Sequence, residues 1–386
     1  VAEVALALVL LVGSGLLLRS FVALANVDPG FSRSGAVALQ VFAYGPRYAG
    51  PERTLAFFDA ATTRLRTVPG VEAVGLVSAM PFLESNINIE GGFRVEGRPI
   101  PPPEDQPSAF LTISNGDYFR AMRIPMRQGR PFDETDRANG RPVAIVNELL
   151  AARHWNDVSP IGERISVNWM GRWLTAEVVG VVGRLRHDGL DRDARPEVFL
   201  PISQVPFGSM TFVVRSSGDP AALVPALKSE VWALDTTLPF YDVATIDALL
   251  AQSLSPRRFL LWLLTGFAAC AFGLTAAGIY GVLTFSTLQR TREMGVRMAM
   301  GAHARDITRL IIREGMTLVG AGVAIGLLAS AAIARALSFL LYGVAPVDPL
   351  TLAAAVTLLG TVALTACYLP ARRATRVDPL TVLKAE

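Results

Sequence analysis

Four long apolar stretches constrain this chain more than anything else in it. Residues 259–289, 315–334 and 349–371 contain no charged side chain, and residues 4–27 contain one, Arg19. A helix needs roughly 20 apolar residues to cross the hydrocarbon core of a bilayer, and soluble core helices rarely run that far uncharged. Each stretch therefore predicts a membrane span, and Arg19 falls where a long side chain snorkels to the outer interface. A cleaved signal peptide is the other reading of residues 1–27, but no basic segment precedes the apolar run. Between spans one and two lie about 230 residues of ordinary soluble character. This segregation explains how a 386-residue chain can be 51% hydrophobic and 18% charged.

Basic residues orient the spans. Arg290, Arg292, Arg297, Arg305, Arg309 and Arg313 lie between spans two and three, and Arg372, Arg373, Arg376 and Lys384 follow span four. Residues 336–348, between spans three and four, carry no Lys or Arg. The Arg-rich loop and the tail are therefore cytoplasmic, and residues 28–258 lie outside. Gly322-x-x-x-Gly326 permits close helix approach and is weak evidence for a dimer face.

The outer segment begins and ends with strand–helix–strand patterns, over 36–78 and 210–243, with turn signals at Tyr44-Gly45-Pro46 and Pro69-Gly70. Leu55, Phe58, Thr62 and Leu65 give the first helix its apolar spacing. Residues 86–205 carry short β-rich runs at 93–95, 109–114, 143–146, 164–168, 176–182 and 197–200. The predicted fold class is thus an integral membrane α-helical protein with four transmembrane helices and an extracytoplasmic α+β domain. In that domain a split βαβ lobe, 28–85 and 206–258, carries an inserted β-rich lobe, 86–205. Residues 259–386 form a membrane domain with helices near 259–287, 313–335 and 349–371.

Catalytic motifs are missing from the sequence. There is no H-E-x-x-H, C-x-x-C or G-x-S-x-G, and Cys270 and Cys367 both lie in apolar blocks. Arginines interrupt the acidic run Asp188–Asp193, which reads as a solvated turn rather than a Ca²⁺ loop. No basic patch with interleaved aromatics suggests nucleic acid. No G-x-x-x-x-G-K-[S/T] offers a P-loop, so ATP would have to bind elsewhere.

The most informative stretch is Thr291-Arg292-Glu293-Met294-Gly295-Val296-Arg297-Met298-Ala299-Met300-Gly301-Ala302. Glu293 and Arg297 form an i,i+4 pair, Met294 and Met298 repeat the spacing, and Gly301 suits a left-handed cap. This predicts a short helix at the cytoplasmic surface with thioether side chains for a partner. The alternative is a basic interfacial helix on anionic lipid. A second amphipathic stretch, through Ile307, Leu310 and Ile311, leads into span three.

This segment resembles the R-E-[IM]-G-[IV]-R-x-A-x-G-A loop of the FtsX/MacB-type ABC transporter permeases. Tyr368-Leu369-Pro370-Ala371-Arg372-Arg373-Ala374 through Asp378-Pro379-Leu380 resembles that family's Y-x-P-A-R-x-A-x-x-x-D-P-[LI] tail. The order of one span, a large outer domain and three further spans is the family's layout over the whole chain, and the two lobes resemble its porter and sabre lobes. The opening residues 4–21 resemble the C-terminal unit of duplicated, acidobacterial-type permeases. The resemblance implies an efflux or extraction permease of the bacterial inner membrane, with no cofactor or enzymatic site of its own. ATP would be hydrolysed by a P-loop ABC ATPase partner or a further ATPase domain. Coupling residues would be Arg292, Glu293, Met294, Gly295, Arg297, Met298, Gly301 and Ala302, with Pro370, Arg372, Arg373, Asp378 and Pro379 as a tail motif. Partners would include a second permease unit, by homodimerisation or duplication, and an outer-channel or adaptor protein. An FtsX-like regulator of a cell-wall hydrolase is the alternative, and a sensor or membrane-bound enzyme a more remote one.

Overall fold

The computed structural model describes residues 1–83, 87–99, 101–155, 158–290, 293, 300 and 303–374. The chain divides into two compact units, Val27–Leu254 and a unit made from Val1–Asn26 with Ser255–Glu386. Chain order runs α1 (Ala2–Ala25), β1 (Ala36–Phe42), α2 (Pro51–Arg66), β2 (Val71–Val77), β3 (Glu90–Val95), β4 (Ser108–Ser114), α3 (Asp117–Met122) and β5 (Met126–Gly129). Then come β6 (Val143–Asn147), α4 (Glu148–Trp155), β7 (Arg164–Trp169), β8 (Arg172–Val182), β9 (Glu197–Pro201), β10 (Ser209–Ser216), α5 (Pro220–Trp232) and β11 (Phe240–Thr245). The last four are α6 (Ile246–Ser253), α7 (Ser255–Gln289), α8 (Ala304–Ala336) and α9 (Pro349–Ala374).

In the outer unit, strands β11-β1-β10-β2 form one lobe. β1 and β2 both run antiparallel to β10 between them, and β10 and β11 both run antiparallel to β1. Each helical crossover, α2 or α5, therefore joins two parallel strands with a third strand between them, giving two interlocked split βαβ units. α2 buries Thr54, Phe57, Phe58, Ala61, Thr62 and Leu65, a stripe at helical spacing, against Val74, Leu76, Phe212 and Val214 of the sheet. Gly75 lets α3 approach from the other face. A Cβ there would sit 2.6 Å from the Tyr118 Cα.

The inserted lobe is a closed ring. Pairings run β4–β3–β7–β8–β6–β9 and return from β9 to β4, with β5 pairing onto β8. Alternate residues fill the interior: Phe93 and Val95, Ala109 and Leu111, Ala144 and Val146, Ile165 and Val167, Ala176 and Val178, Val198 and Leu200. Closure leaves no unpaired edge among these strands. The ring meets the split βαβ lobe at the ladder pair Val77 with Ser114, at hydrogen bonds between Asn115 and Leu76, and where α3 packs on β2. Ser78 N–H donates to the Ile113 carbonyl at 2.8 Å, and Ile113 N–H to Ser78 Oγ at 2.9 Å. The helices α3, α4 and α6 and the strand β5 are short, and no separate periodic signal marks them in the sequence.

Asp235 anchors the end of α5. Its carboxylate is buried, accepts from Tyr48 Oη at 2.5 Å and from Thr237 N–H and Oγ1 at 2.9 and 2.7 Å, and faces Arg47 Nη1 at 3.1 Å. Those donors lower its pKa to about 2, from an ordinary 3.8, while burial first and the bond to Asp235 second push the Tyr48 hydroxyl up.

The second unit holds four helices long and apolar enough to cross a membrane. α1 buries Val4, Leu8, Val12, Leu16, Ser20 and Leu24, a ridge of every fourth residue, and 39% of its apolar window is enclosed. α7 is the least enclosed, at 11%, and presents Phe259, Trp262, Phe267, Leu274 and Phe285 outward, as a lipid-facing helix does. α1 sits on the glycines of α8. A Cβ at Gly322 would lie 2.7 Å from Val4 Cβ, and one at Gly326 would lie 3.0 Å from Leu8 Cβ. The Gly322-x-x-x-Gly326 face is thus occupied within the chain and is not free for a second copy, contrary to the reading of it as a dimer face. Arg19 also differs from expectation, because it pairs with Asp348, whose carboxylate caps α9 by accepting from Thr351 N–H at 2.8 Å.

Two predictions follow from this packing and its charges. Gly326→Leu is expected to cost about 1–3 kcal/mol through overpacking. Gly320→Leu, whose Cβ meets nothing within 4 Å, should leave stability unchanged. Both are read as the Tm of the detergent-solubilised chain. The folded-state pKa of Asp235 is depressed, so its contribution is complete above the ordinary carboxylate range and is lost as pH falls towards about 2. The Tm gap between wild type and Asp235→Asn should therefore shrink steadily on acidification below about pH 4.

Candidate coupling site

Two long helices flank the segment between α7 and α8, most of which lies outside the described residues. α7 runs unbroken for 35 residues to Gln289, and α8 for 33 residues from Ala304. α8 starts at His303, and its cap comes from the side chain of Asp306 three residues on. His303 N–H donates to Asp306 Oδ2 at 3.2 Å, and Asp306 N–H donates to the His303 carbonyl at 2.9 Å. Arg290, just past α7, donates from Nη1 to Glu314 Oε1 at 2.8 Å, tying the two helices together beside the segment.

Below that tie is a small apolar cluster of Leu283 on α7, Ile307 and Ile311 on α8, and Cys367 and Ala371 on α9. Gly315 makes room for it, since a Cβ there would lie 2.7 Å from Cys367 Sγ and 3.1 Å from Leu283 Cδ1. The buried positions of α8 continue as one stripe: Ile307, Ile311, Gly315, Val319, Gly322, Gly326, Ser330 and Ala334. The face that receives α7 and α9 beside the segment is therefore continuous with the face that seats α1. At the other end of the bundle Tyr342 N–H donates to Ser20 Oγ at 2.8 Å and Arg257 Nη1 to the Leu340 carbonyl at 3.2 Å.

Of the residues named from the sequence, Glu293 is helical and exposed. Arg292, Met294, Gly295, Arg297, Met298, Gly301 and Ala302 lie outside the described residues, as do Asp378 and Pro379. Pro370, Arg372 and Arg373 sit on the last turns of α9, with Pro370 buried and Arg372 exposed. The Arg290–Glu314 tie and the role of Gly315 were not legible in the sequence. Glu314 reads there only as the i+1 neighbour of Arg313, and Gly315 as one glycine among many.

Among the described residues the other titratable groups do not converge on a reactive centre. His154 rests edge-on against Phe93, with ring centroids 4.9 Å apart, and burial with Arg98 and Arg153 lowers its pKa. His187 Nε2 lies 3.1 Å from the buried Glu197, which also accepts from Thr112 Oγ1 at 2.6 Å. Arg186 ties its own acidic loop by donating to the carbonyls of Leu190 and Arg192 at 2.8 and 2.5 Å. Among the described residues no group of three His, Cys, Asp or Glu side chains could hold a metal ion.

Comparison with known proteins agrees with this architecture. Residues 4–230 match the MacB-like periplasmic core domain, and residues 265–379 match the FtsX-like permease C-terminal domain. A pyoverdine export ATP-binding/permease protein, PvdT of Pseudomonas fluorescens, is 25% identical over 86% of this chain and 51% of its own. A macrolide export ATP-binding/permease protein, MacB of Rhodospirillum rubrum, is 29% identical over 72% of this chain and 44% of its own. The chain spans about half the length of the curated relatives it matches. The solved periplasmic region of MacB from Actinobacillus actinomycetemcomitans aligns with 60% of this chain and 97% of its own, at 15% identity and a TM-score of 0.40. The chain is a protein of the bacterial cytoplasmic membrane with its large domain on the periplasmic or outer side. With the first of these domains alone matching more than half of its length, it belongs to the FtsX/MacB-type ABC transporter permeases.

Proposed function

We propose that this chain is a permease component that transmits the motion of an ABC ATPase to its extracytoplasmic domain, for export or extraction of cargo. ATP is bound and hydrolysed by a P-loop partner or by another segment of the same polypeptide. The ATPase closes against the segment 290–302, where Arg292, Glu293, Met294, Gly295, Arg297, Met298, Gly301 and Ala302 form the contact and Pro370, Arg372, Arg373, Asp378 and Pro379 flank it. A second permease unit, from another copy or from a duplicated chain, completes the membrane part, and an outer-channel or adaptor protein receives the cargo.

The observation that carries this reading is the single buried stripe of α8. An element displaced at Ile307 moves Gly322 and Gly326 with it, because a helix of 33 residues, about 48 Å long, has no break at which motion is absorbed. α1, seated on those glycines, is continuous in sequence with β1, and α7 is continuous with α6, so both ends of the outer domain attach to moving helices. The export names of the relatives favour cargo movement over activation of a cell-wall hydrolase, though the same relay would serve either.

Glu293→Lys and Gly301→Trp are expected to bring ATP hydrolysis by the purified permease–ATPase complex down to the rate of the ATPase alone. Membrane insertion and Tm should be unaffected. Full stimulation retained in both variants would refute the coupling role of this segment.

A further inference from the structure

The outer domain carries a second feature that the relay does not use. A cleft of about 690 Å³ opens between α3, α4 and the chain following β8. Five arginines line it against three carboxylates, an excess of two positive charges. The carboxylates are committed. Asp28 Oδ1 accepts from Gly30 N–H at 2.9 Å in a local turn, and Asp193 is fully exposed, 3.8 Å from Arg186.

Glu148, the first residue of α4, is shared. Arg127 Nε donates to its Oε2 at 3.1 Å and Arg184 Nε to its Oε1 at 2.7 Å. Both arginines are held through Nε, which fixes the guanidinium planes while their side chains stay more than half exposed. That is the arrangement in which forked Nη donors meet an oxyanion without further loss of rotamer freedom.

Arg123 and Arg153 have no carboxylate partner among the described residues. Arg123 is also one of three non-glycine residues with positive φ among the described residues, at +54°, in the left-handed cap of α3 where glycine or asparagine is usual. Close by is Arg215, buried and hydrogen-bonded only to neutral acceptors, the carbonyls of Ala121 at 2.5 Å and Ser34 at 3.1 Å. Its guanidinium pKa is lowered by burial and by the charge of Arg123, with Glu72 opposing the shift. A fold that keeps several guanidinium groups together, one of them in a strained backbone conformation, leaves a positive field that the nearby carboxylates only partly offset.

We propose that this cleft binds a phosphate ester, with Arg123 and Arg153 donating directly to the phosphate oxygens and Glu148 positioning Arg127 and Arg184 beside them. Phosphate fits better than a lone carboxylate, because it offers several anionic oxygens to several forked donors at once. In a membrane protein this chemistry has two sources, a phospholipid headgroup and a soluble phosphate ester.

The test uses the full chain in neutral maltoside micelles, with binding followed by microscale thermophoresis. The probes are glycerol 3-phosphate and dioleoylphosphatidylglycerol, with dioleoylphosphatidylcholine as the lipid control. Wild type should bind at least one phosphate probe, and Arg123→Gln/Arg153→Gln should weaken it by at least roughly tenfold. Arg98→Gln, an exposed arginine outside the cleft, should not, and Tm checks that each variant is folded. Tighter binding of phosphatidylglycerol than of phosphatidylcholine or glycerol 3-phosphate identifies a headgroup; the reverse order identifies a soluble ester.

Glu148→Gln separates positioning from bulk charge. It removes a negative charge, so a merely electrostatic cleft would bind the anion more tightly, whereas a positioned one binds it more weakly. No binding of either phosphate probe by wild type, or equal binding by the double arginine variant, overturns the proposal. Tighter binding by Glu148→Gln overturns the role given to Glu148.

Discussion

The membrane unit depends on a contact made possible by missing side chains. Lipid tails are as apolar as leucine, so burial alone gives helices little reason to associate in a bilayer, and packing must supply the attraction. α1 meets α8 where Val4 and Leu8 lie directly over Gly322 and Gly326, within the distance a Cβ would occupy. Small residues let two helices approach until their backbones and first side-chain carbons touch, which recovers many weak dispersion contacts at once. Gly315 repeats the device where α8 meets Leu283 and Cys367. With both contacts on one stripe, α8 packs along its length chiefly on α1 and α9, while α7 touches it mainly beside Leu283 and rests on α1 and α9 instead.

The outer unit solves a different problem by different means. Water is available there, so the difficulty is to insert a large β lobe without creating sticky edges. The ring β4–β3–β7–β8–β6–β9 closes on itself, and the split βαβ lobe keeps its own sheet, with β4 as the strand common to both. A ladder pair and two hydrogen bonds of Ser78 join the sheets, while each lobe retains its own apolar core. The seam is also packed, since α3 rests on β2 and Ile113 and Ile202 join the core of the split βαβ lobe.

Much of this was legible in the sequence, for stated physical reasons. Spans announce themselves because the hydrocarbon core tolerates almost no charge over twenty residues. The βαβ ends show through because the α2 stripe and the turn glycines are local signals. Ring closure was not legible, since the pairing of β4 with β9 joins residues more than eighty positions apart and no local pattern encodes it. The glycine seat was visible as a motif but assigned to the wrong occupant, because spacing reveals a smooth face without revealing what lies on it. Arg19 shows the same limit: a charge at the end of a span invites the generic reading of snorkelling, and only the fold brings Asp348 to it. The candidate coupling segment was picked out by a motif, and what the structure describes is its flanks, the cap of α8 at His303 and Asp306 and the Arg290–Glu314 tie.

The unbroken stripe of α8 also fixes something about how such a helix can change over time. At 3.6 residues per turn, adding or deleting one residue rotates everything beyond it by about 100°. A deletion between Gly315 and Gly322 would turn the seat of α1 away from the face that holds Leu283 and Cys367, although every side chain needed for both would still be present. Side chains along α8 are individually exchangeable wherever they face outward, but its length between these two contacts is not. The number of residues from Gly315 to Gly326, more than their identity, is what keeps the two contacts on one face of the helix.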